Sequence, residues 1–116
     1  MMNVEWVSEH SALGIPHSAL HIPHLLYCEL HAHSCYSLLD GVPFPEQLAE
    51  RAHELGLPAI ALTDHDAVYG LVPFYLRAKE LGLKPILGAE ITLEDGSHLT
   101  LLAESNEGYA NLCQLI

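Results

Sequence analysis

Two near-identical hexapeptides constrain this chain more than any other feature. Ala52-His-Glu-Leu-Gly-Leu57 and Ala78-Lys-Glu-Leu-Gly-Leu83 agree at five of six positions, 26 residues apart, and each leads through a proline into a short apolar run. An amphipathic stretch ending in Leu-Gly carries a helix stop, because glycine takes up the left-handed conformation that closes the last turn. Before the first copy, Leu48, Ala52 and Leu55 fall at i, i+4 and i+7 behind Pro45, which predicts a helix over about 45–55. Before the second, Leu71, Phe74, Tyr75 and Ala78 share one face of a helix over about 70–81. The apolar runs 58–63 and 84–89 then read as strands, the first continuous enough to be buried on both faces. Residues 25–30 and 98–103 supply two more strands, and 107–116 a last helix. Strands and helices alternating through short connections predict an α/β fold with right-handed crossovers and a parallel sheet, its strands in chain order from Leu25 to Ala89.

With 116 residues the chain holds one domain at most, and half of it is apolar against 16% charged, which suits a folded core rather than a disordered segment. Four Lys and Arg stand against 15 Asp and Glu, a formal net charge of −11. That balance excludes a module gripping nucleic-acid phosphates with its own cations. Phosphate would have to be met through a metal. Cys28, Cys35 and Cys113 are odd in number and lack CxxC spacing, so a disulfide framework is not expected and a reducing, cytoplasmic setting is. No membrane helix and no signal peptide are read in the chain. Residues 1–24 form a separate arm in which Ser11-Ala-Leu-Gly-Ile-Pro-His17 is followed by Ser18-Ala-Leu-His-Ile-Pro-His24. Pro16 and Pro23 argue against a helix there, and His10, His17 and His24 read as solvent-exposed side chains ahead of a metal-binding tract.

The polar residues with ligand chemistry cluster where the predicted strands end, which is where α/β folds place their sites. His31 and His33 follow the first strand, Asp64 and His65 the second, and Glu90 the third. Two histidines at i and i+2 on an extended segment project from one face. With Asp40, Thr63-Asp64-His65-Asp66, Glu90 and His98, the mixture of imidazole and carboxylate suits zinc, manganese or iron, and more than one ion. The plainer readings are a turn at Asp40-Gly41 and a helix N-cap at Asp66. Nucleophile readings are weaker: Cys35 lacks an orienting partner, and Ser34 and Ser37 lack a G-x-S-x-G setting. No phosphate loop or dinucleotide fingerprint is present, and Tyr36, Phe44, Tyr69, Phe74 and Tyr75 read as packing groups.

Four segments carry a family resemblance: ELHAHSCYSLLDG (29–41), ALTDHDAVYG (61–70), KPILGAEITLEDG (84–96) and HLTLLAESNEGYANLCQLI (98–116). In order and spacing they resemble successive motifs of the PHP (polymerase and histidinol phosphatase) domain, most closely that of bacterial DNA polymerase III alpha subunits of the error-prone type. The resemblance implies roughly the first half of a distorted (βα)7 barrel over 25–116, with up to three divalent ions in the family and fewer here. It implies metal ligands at His31, His33, Asp40, His65, Glu90 and His98. Asp64 matches a motif aspartate and is the catalytic candidate, in a supporting position. The later ligands of the family, a cysteine and an aspartate-histidine pair, have no counterpart before Ile116, and Cys113 comes too early to be that cysteine. The implied activity is metal-dependent hydrolysis of a phosphodiester, as in a 3′–5′ exonuclease, or of a phosphomonoester, in DNA replication or repair. The alternative is a non-catalytic half-barrel serving a polymerase or a partner. The implied partners are a second copy or the remainder of a polymerase chain, with nucleic acid met only through metal-bound phosphate.

Overall fold

The computed structural model describes residues 27–116, so the arm at 1–24 and the first two residues of the predicted 25–30 strand lie outside the described residues. The elements run α1 (Pro45–Glu54), β1 (Ala59–Leu62), α2 (Leu71–Glu80), β2 (Lys84–Thr92), β3 (His98–Leu102) and α3 (Asn106–Leu115).

The hexapeptide repeat is a helix stop used twice. In α1 the amide of Gly56 donates to the His53 carbonyl at 3.0 Å and that of Leu57 to Ala52 at 3.0 Å, with Gly56 at φ +69°. In α2 Gly82 donates to Lys79 at 3.1 Å and Leu83 to Ala78 at 2.9 Å, with Gly82 at φ +72°. Both are Schellman closures, which satisfy the last carbonyls of the helix and demand a left-handed residue. The same stretch puts Ala52, Ala78 and Leu83 into the core beside Ile60, Leu62, Leu71 and Phe74. At its start α1 has Pro45 in the first turn, and the Gln47 side chain accepts from the Phe44 amide at 2.9 Å.

The sheet order is β1-β2-β3. β1 and β2 pair in parallel from Ala59↔Lys84 to Leu62↔Leu87, joined through α2. All four β1 residues are buried. β2 and β3 pair antiparallel, from Gly88↔Leu102 to Thr92↔His98. Parallel pairing is borne out for 58–63 and 84–89, while the later strand at 98–103 enters antiparallel, so the sheet as a whole is mixed. Only residues 93–97 separate β2 and β3, and a parallel return needs a crossover of about a dozen residues or more. The β2–β3 approach is tight at Gly88, where a Cβ would lie 2.4 Å from the Leu101 carbonyl oxygen.

Four further expectations are corrected. The described part of the 25–30 segment makes an isolated parallel bridge, Glu29↔Ile60, rather than a strand. Its contacts, Ala61 N–H to the Glu29 carbonyl at 2.7 Å and Thr63 N–H to Ala32 at 2.8 Å, still align it beside β1. β2 continues through Glu90 to Thr92 because β3 pairs its far end. Asp66 caps no helix: α2 begins five residues later, and Asp66, at φ +46°, bonds to Thr92 instead. Of the five aromatic residues read as packing groups, Phe74 alone is fully buried in the core, while Phe44 and Tyr69 are largely exposed.

Candidate metal centre

The donor side chains are held by five different pieces of this framework. His31 and His33 lie on the extended segment beside β1, and Asp40 in the turn that precedes α1, where the amides of Asp40 and Gly41 both donate to the Ser37 carbonyl. His65 follows β1 and forms a parallel bridge with Glu90. Glu90 is in β2 opposite Thr100 of β3, and His98, two residues earlier on β3, falls on the same face in the diagonal position.

These six side chains converge. Glu90 is at the centre, its side chain 9% exposed, with Oε2 bonded to His31 Nε2 and 3.1 Å from His33 Nε2, and Oε1 2.8 Å from His98 Nδ1 and 3.6 Å from His65 Nδ1. Asp40 Oδ2 lies 2.9 Å from His65 Nε2 and 3.5 Å from His33 Nδ1. The His31 and His33 Nε2 atoms are 2.9 Å apart. Among the described residues three groups of donors are mutually within 4.8 Å: His31, His33 and Glu90; His33, Asp40 and His65; and His65, Glu90 and His98.

Charge follows from this geometry. Burial pushes the Glu90 carboxyl up, but the hydrogen bond from His31 and the charges of His65, His31 and His33 outweigh it and hold the group below the usual glutamate range. Asp40 is held low by the hydrogen bond from His65 and the charges of His33, His65 and His31. A cluster in which imidazole nitrogens face one another across shared carboxylates is a donor set that a divalent cation fits, since it satisfies both lone pairs at once.

Asp64 stands apart. It is 1% exposed, and Oδ1 accepts from the Ser34 amide at 2.6 Å and the Ser37 hydroxyl at 2.7 Å, while Oδ2 accepts from the Ser34 hydroxyl at 2.6 Å. So enclosed, the carboxylate braces the histidine loop rather than facing open space. Sequence reasoning passed over Ser34 and Ser37, both buried, and the Asp66–Thr92 clamp, in which Asp66 accepts from the Thr92 amide at 2.8 Å and hydroxyl at 2.7 Å. Hydroxyls beside histidines are common in sequences, and only the closure of the loop onto β1 gives these a role. A cleft of about 810 Å³ is lined by Lys84, Pro85 and Ile86 at the opposite end of β2 and includes none of the donor residues.

Fold and cluster together define a mixed α/β domain with histidine and carboxylate donors gathered at one end of the sheet. Solved structures agree. A protein from Bifidobacterium adolescentis described as a metal-dependent phosphoesterase superposes with a TM-score of 0.56 and 30% identity over 75% of this chain and 32% of its own. An amidohydrolase from Chromobacterium violaceum gives a TM-score of 0.61 and 29% identity over the same shares. The particular family follows from sequence: the PHP domain family matches residues 29–116, and the chain belongs to it. Relatives include the error-prone DNA polymerase of Symbiobacterium thermophilum, 52% identical over 78% of this chain, and that of Mycobacterium bovis, 49% identical over 74%. The DNA polymerase III alpha subunit of Buchnera aphidicola is 45% identical over 78%. The chain spans only 8–9% of the length of these polymerases.

Proposed function

We propose that this chain is a metal-dependent phosphoesterase-type module of a DNA polymerase III alpha-like protein, acting on a phosphodiester at a nucleic-acid 3′ end or on a phosphomonoester. The observation that carries the reading is the meeting of five donor residues, His31, His33, His65, Glu90 and His98, with Glu90 touching the other four. Zinc, manganese or iron would be held by these residues together with Asp40. When bound, such an ion supplies Lewis acidity toward a phosphoryl oxygen and brings the pKa of water toward neutrality. The chain's own part is to fix the donors from five separate segments and to neutralise little of the phosphate itself, since its formal charge is −11. Among the described residues no helix is long and apolar enough to cross a membrane, and the cytoplasmic setting belongs to the reading because the relatives are DNA polymerases.

A second reading, a structural segment of a polymerase, is favoured by the openness of the cluster. The side chains of His31, Asp40 and His98 are 51%, 61% and 48% exposed, so protein encloses the donors from one side only among the described residues. Multi-metal catalysis needs every ion and its supporting groups fixed. The isolated chain is accordingly a metal binder and a poor hydrolase.

The test is metal content of the 116-residue chain purified without added metal, followed by calorimetric titration with zinc and manganese of the parent, His31→Ala and Glu90→Ala. Stoichiometric metal lost in both variants supports the reading, and a stable, metal-free parent that takes up neither ion refutes it. Hydrolysis of a 3′-labelled single-stranded DNA or a chromogenic phosphomonoester at about 1 s⁻¹ or more, abolished by either substitution, refutes the view that the isolated chain is a poor catalyst.

A further inference from the structure

His33 belongs to two of the three donor groups, and it has two nitrogens to offer: Nε2 faces His31 and Glu90, and Nδ1 faces Asp40. A neutral imidazole carries one N–H and one lone pair, so it can serve only one of these positions as a ligand. Which one is settled by the hydrogen bond made at the other nitrogen.

Ser37 makes that bond. Its hydroxyl oxygen lies 3.0 Å from His33 Nδ1, 2.7 Å from Asp64 Oδ1 and 3.1 Å from the His65 amide nitrogen, and the residue is 1% exposed. A hydroxyl has one proton to give and two lone pairs to receive with. Asp64 Oδ1 already accepts from the Ser34 backbone amide at 2.6 Å, so the Ser37 proton goes to it. The His65 amide is a donor by nature and takes one lone pair. The remaining lone pair faces His33 Nδ1 and calls for a proton there, against the pull of Glu90 Oε2 3.1 Å from Nε2. The Asp40 carboxylate, 3.5 Å from the same nitrogen, places negative charge beside it and favours the same state.

We propose that Ser37 is a positioning residue: braced by Asp64, it keeps the proton on His33 Nδ1, assigns Nε2 as the ligand atom, and so gives His33 to the ion position shared with His31 and Glu90. The neighbouring position is left with His65 and Asp40. This rests on the metal-binding function proposed above, and it adds which ring atom is used and what selects it.

The decisive measurement is long-range ¹H–¹⁵N correlation of the histidine rings in the full chain, labelled at histidine, with His33 assigned by comparison with His33→Gln. At pH 8, above the ordinary histidine pKa of about 6.5, His33 Nδ1 carries a proton before zinc is added and retains it afterwards, while the Nε2 resonance moves on zinc binding. Ser37→Ala removes the preference for the Nδ1 proton and weakens zinc about 10- to 100-fold, the usual effect of losing a group that orients a ligand. Ser37→Thr, which retains the hydroxyl, recovers both. A bare Nδ1 in the parent, zinc displacing the Nδ1 proton, or a Ser37→Ala protein with the parent's ring signals and zinc affinity would each overturn the proposal. The spectrum of the parent decides the tautomer whether or not the variants fold. Zinc that moves no histidine signal refutes metal binding, and the metal-free spectrum still tests Ser37.

Discussion

The same chemical change, glycine to alanine, is expected to destabilise this chain at two places and to disturb the donor cluster at only one of them. At Gly41 an added Cβ would lie 1.9 Å from the Ser34 carbonyl oxygen and 2.5 Å from its carbonyl carbon. Side-chain carbons do not approach within 3.0 Å, so the Ser34 peptide must retreat by about 1 Å or Gly41 must leave the turn. Ser34 has nowhere to go: its amide and hydroxyl are both bonded to Asp64, and it follows His33 directly. Overpacking of this kind costs about 1–3 kcal/mol, which for a domain of this size lowers the melting temperature by about 4–24 °C. A ligand shift of about 1 Å exceeds the roughly 0.5 Å tolerance of a metal site, so zinc uptake should be lost with it. At Gly56 an added Cβ meets nothing within 4 Å, and the cost is the left-handed conformation alone, about 1–2 kcal/mol. Gly56→Ala is thus expected to melt early and still bind zinc like the parent. Thermal denaturation followed by circular dichroism and zinc calorimetry on the three proteins make the comparison. A Gly41→Ala chain that binds zinc normally would show that the turn yields and that Ser34 is not the rigid stop described here.

Two other outcomes are expected. Asp66→Ala removes both bonds to Thr92 while leaving the Asp66 amide on the Glu90 carbonyl, so it should cost about 1–3 kcal/mol for two hydrogen bonds and weaken zinc without abolishing folding; equal zinc affinity by calorimetry would show that the clamp does not position His65. The free edge of β3 carries Leu99 and Leu102 partly exposed, and uncovered edges recruit partners, so sedimentation should find self-association at micromolar concentration, reduced by Leu99→Lys; a stable monomer refutes it.

The helices and their ends were legible because a local interaction determines them. The Leu-Gly stop works through bonds spanning a few residues, and the chain states it twice. The direction of β3 is set by the five-residue link to β2, too short for a crossover, whereas the upstream repeat carries information only about the parallel pair β1 and β2. Asp66 was misread because an aspartate just ahead of an amphipathic run looks like a cap, and the positive φ that turns it toward Thr92 is set by β2, outside its own segment. The candidate ligand residues stood out because histidines and carboxylates at strand ends are conspicuous. Ser34, Ser37 and the burial of Asp64 were not visible, since a hydroxyl's partner depends on which loop folds over which strand.

β2 pairs in parallel with β1 as far as Leu87 and antiparallel with β3 from Gly88 on, and Glu90 lies in the second stretch with His65 bridged to it on the other side. The Glu90 amide donates to the Asp64 carbonyl at 3.0 Å and its carbonyl accepts from Asp66 at 2.9 Å. Local opening is cheapest where backbone bonds are exposed and most expensive where both flanks are tied. Amide hydrogen exchange should therefore be slowest around Glu90 and faster at His31 and His98, which lie toward the rims. On the proposed metal-binding reading, ions of different radius would then be met by adjustment of the exposed imidazoles of His31 and His98 rather than of Glu90, and substitutions that stiffen those two would alter which ion is preferred without touching Glu90.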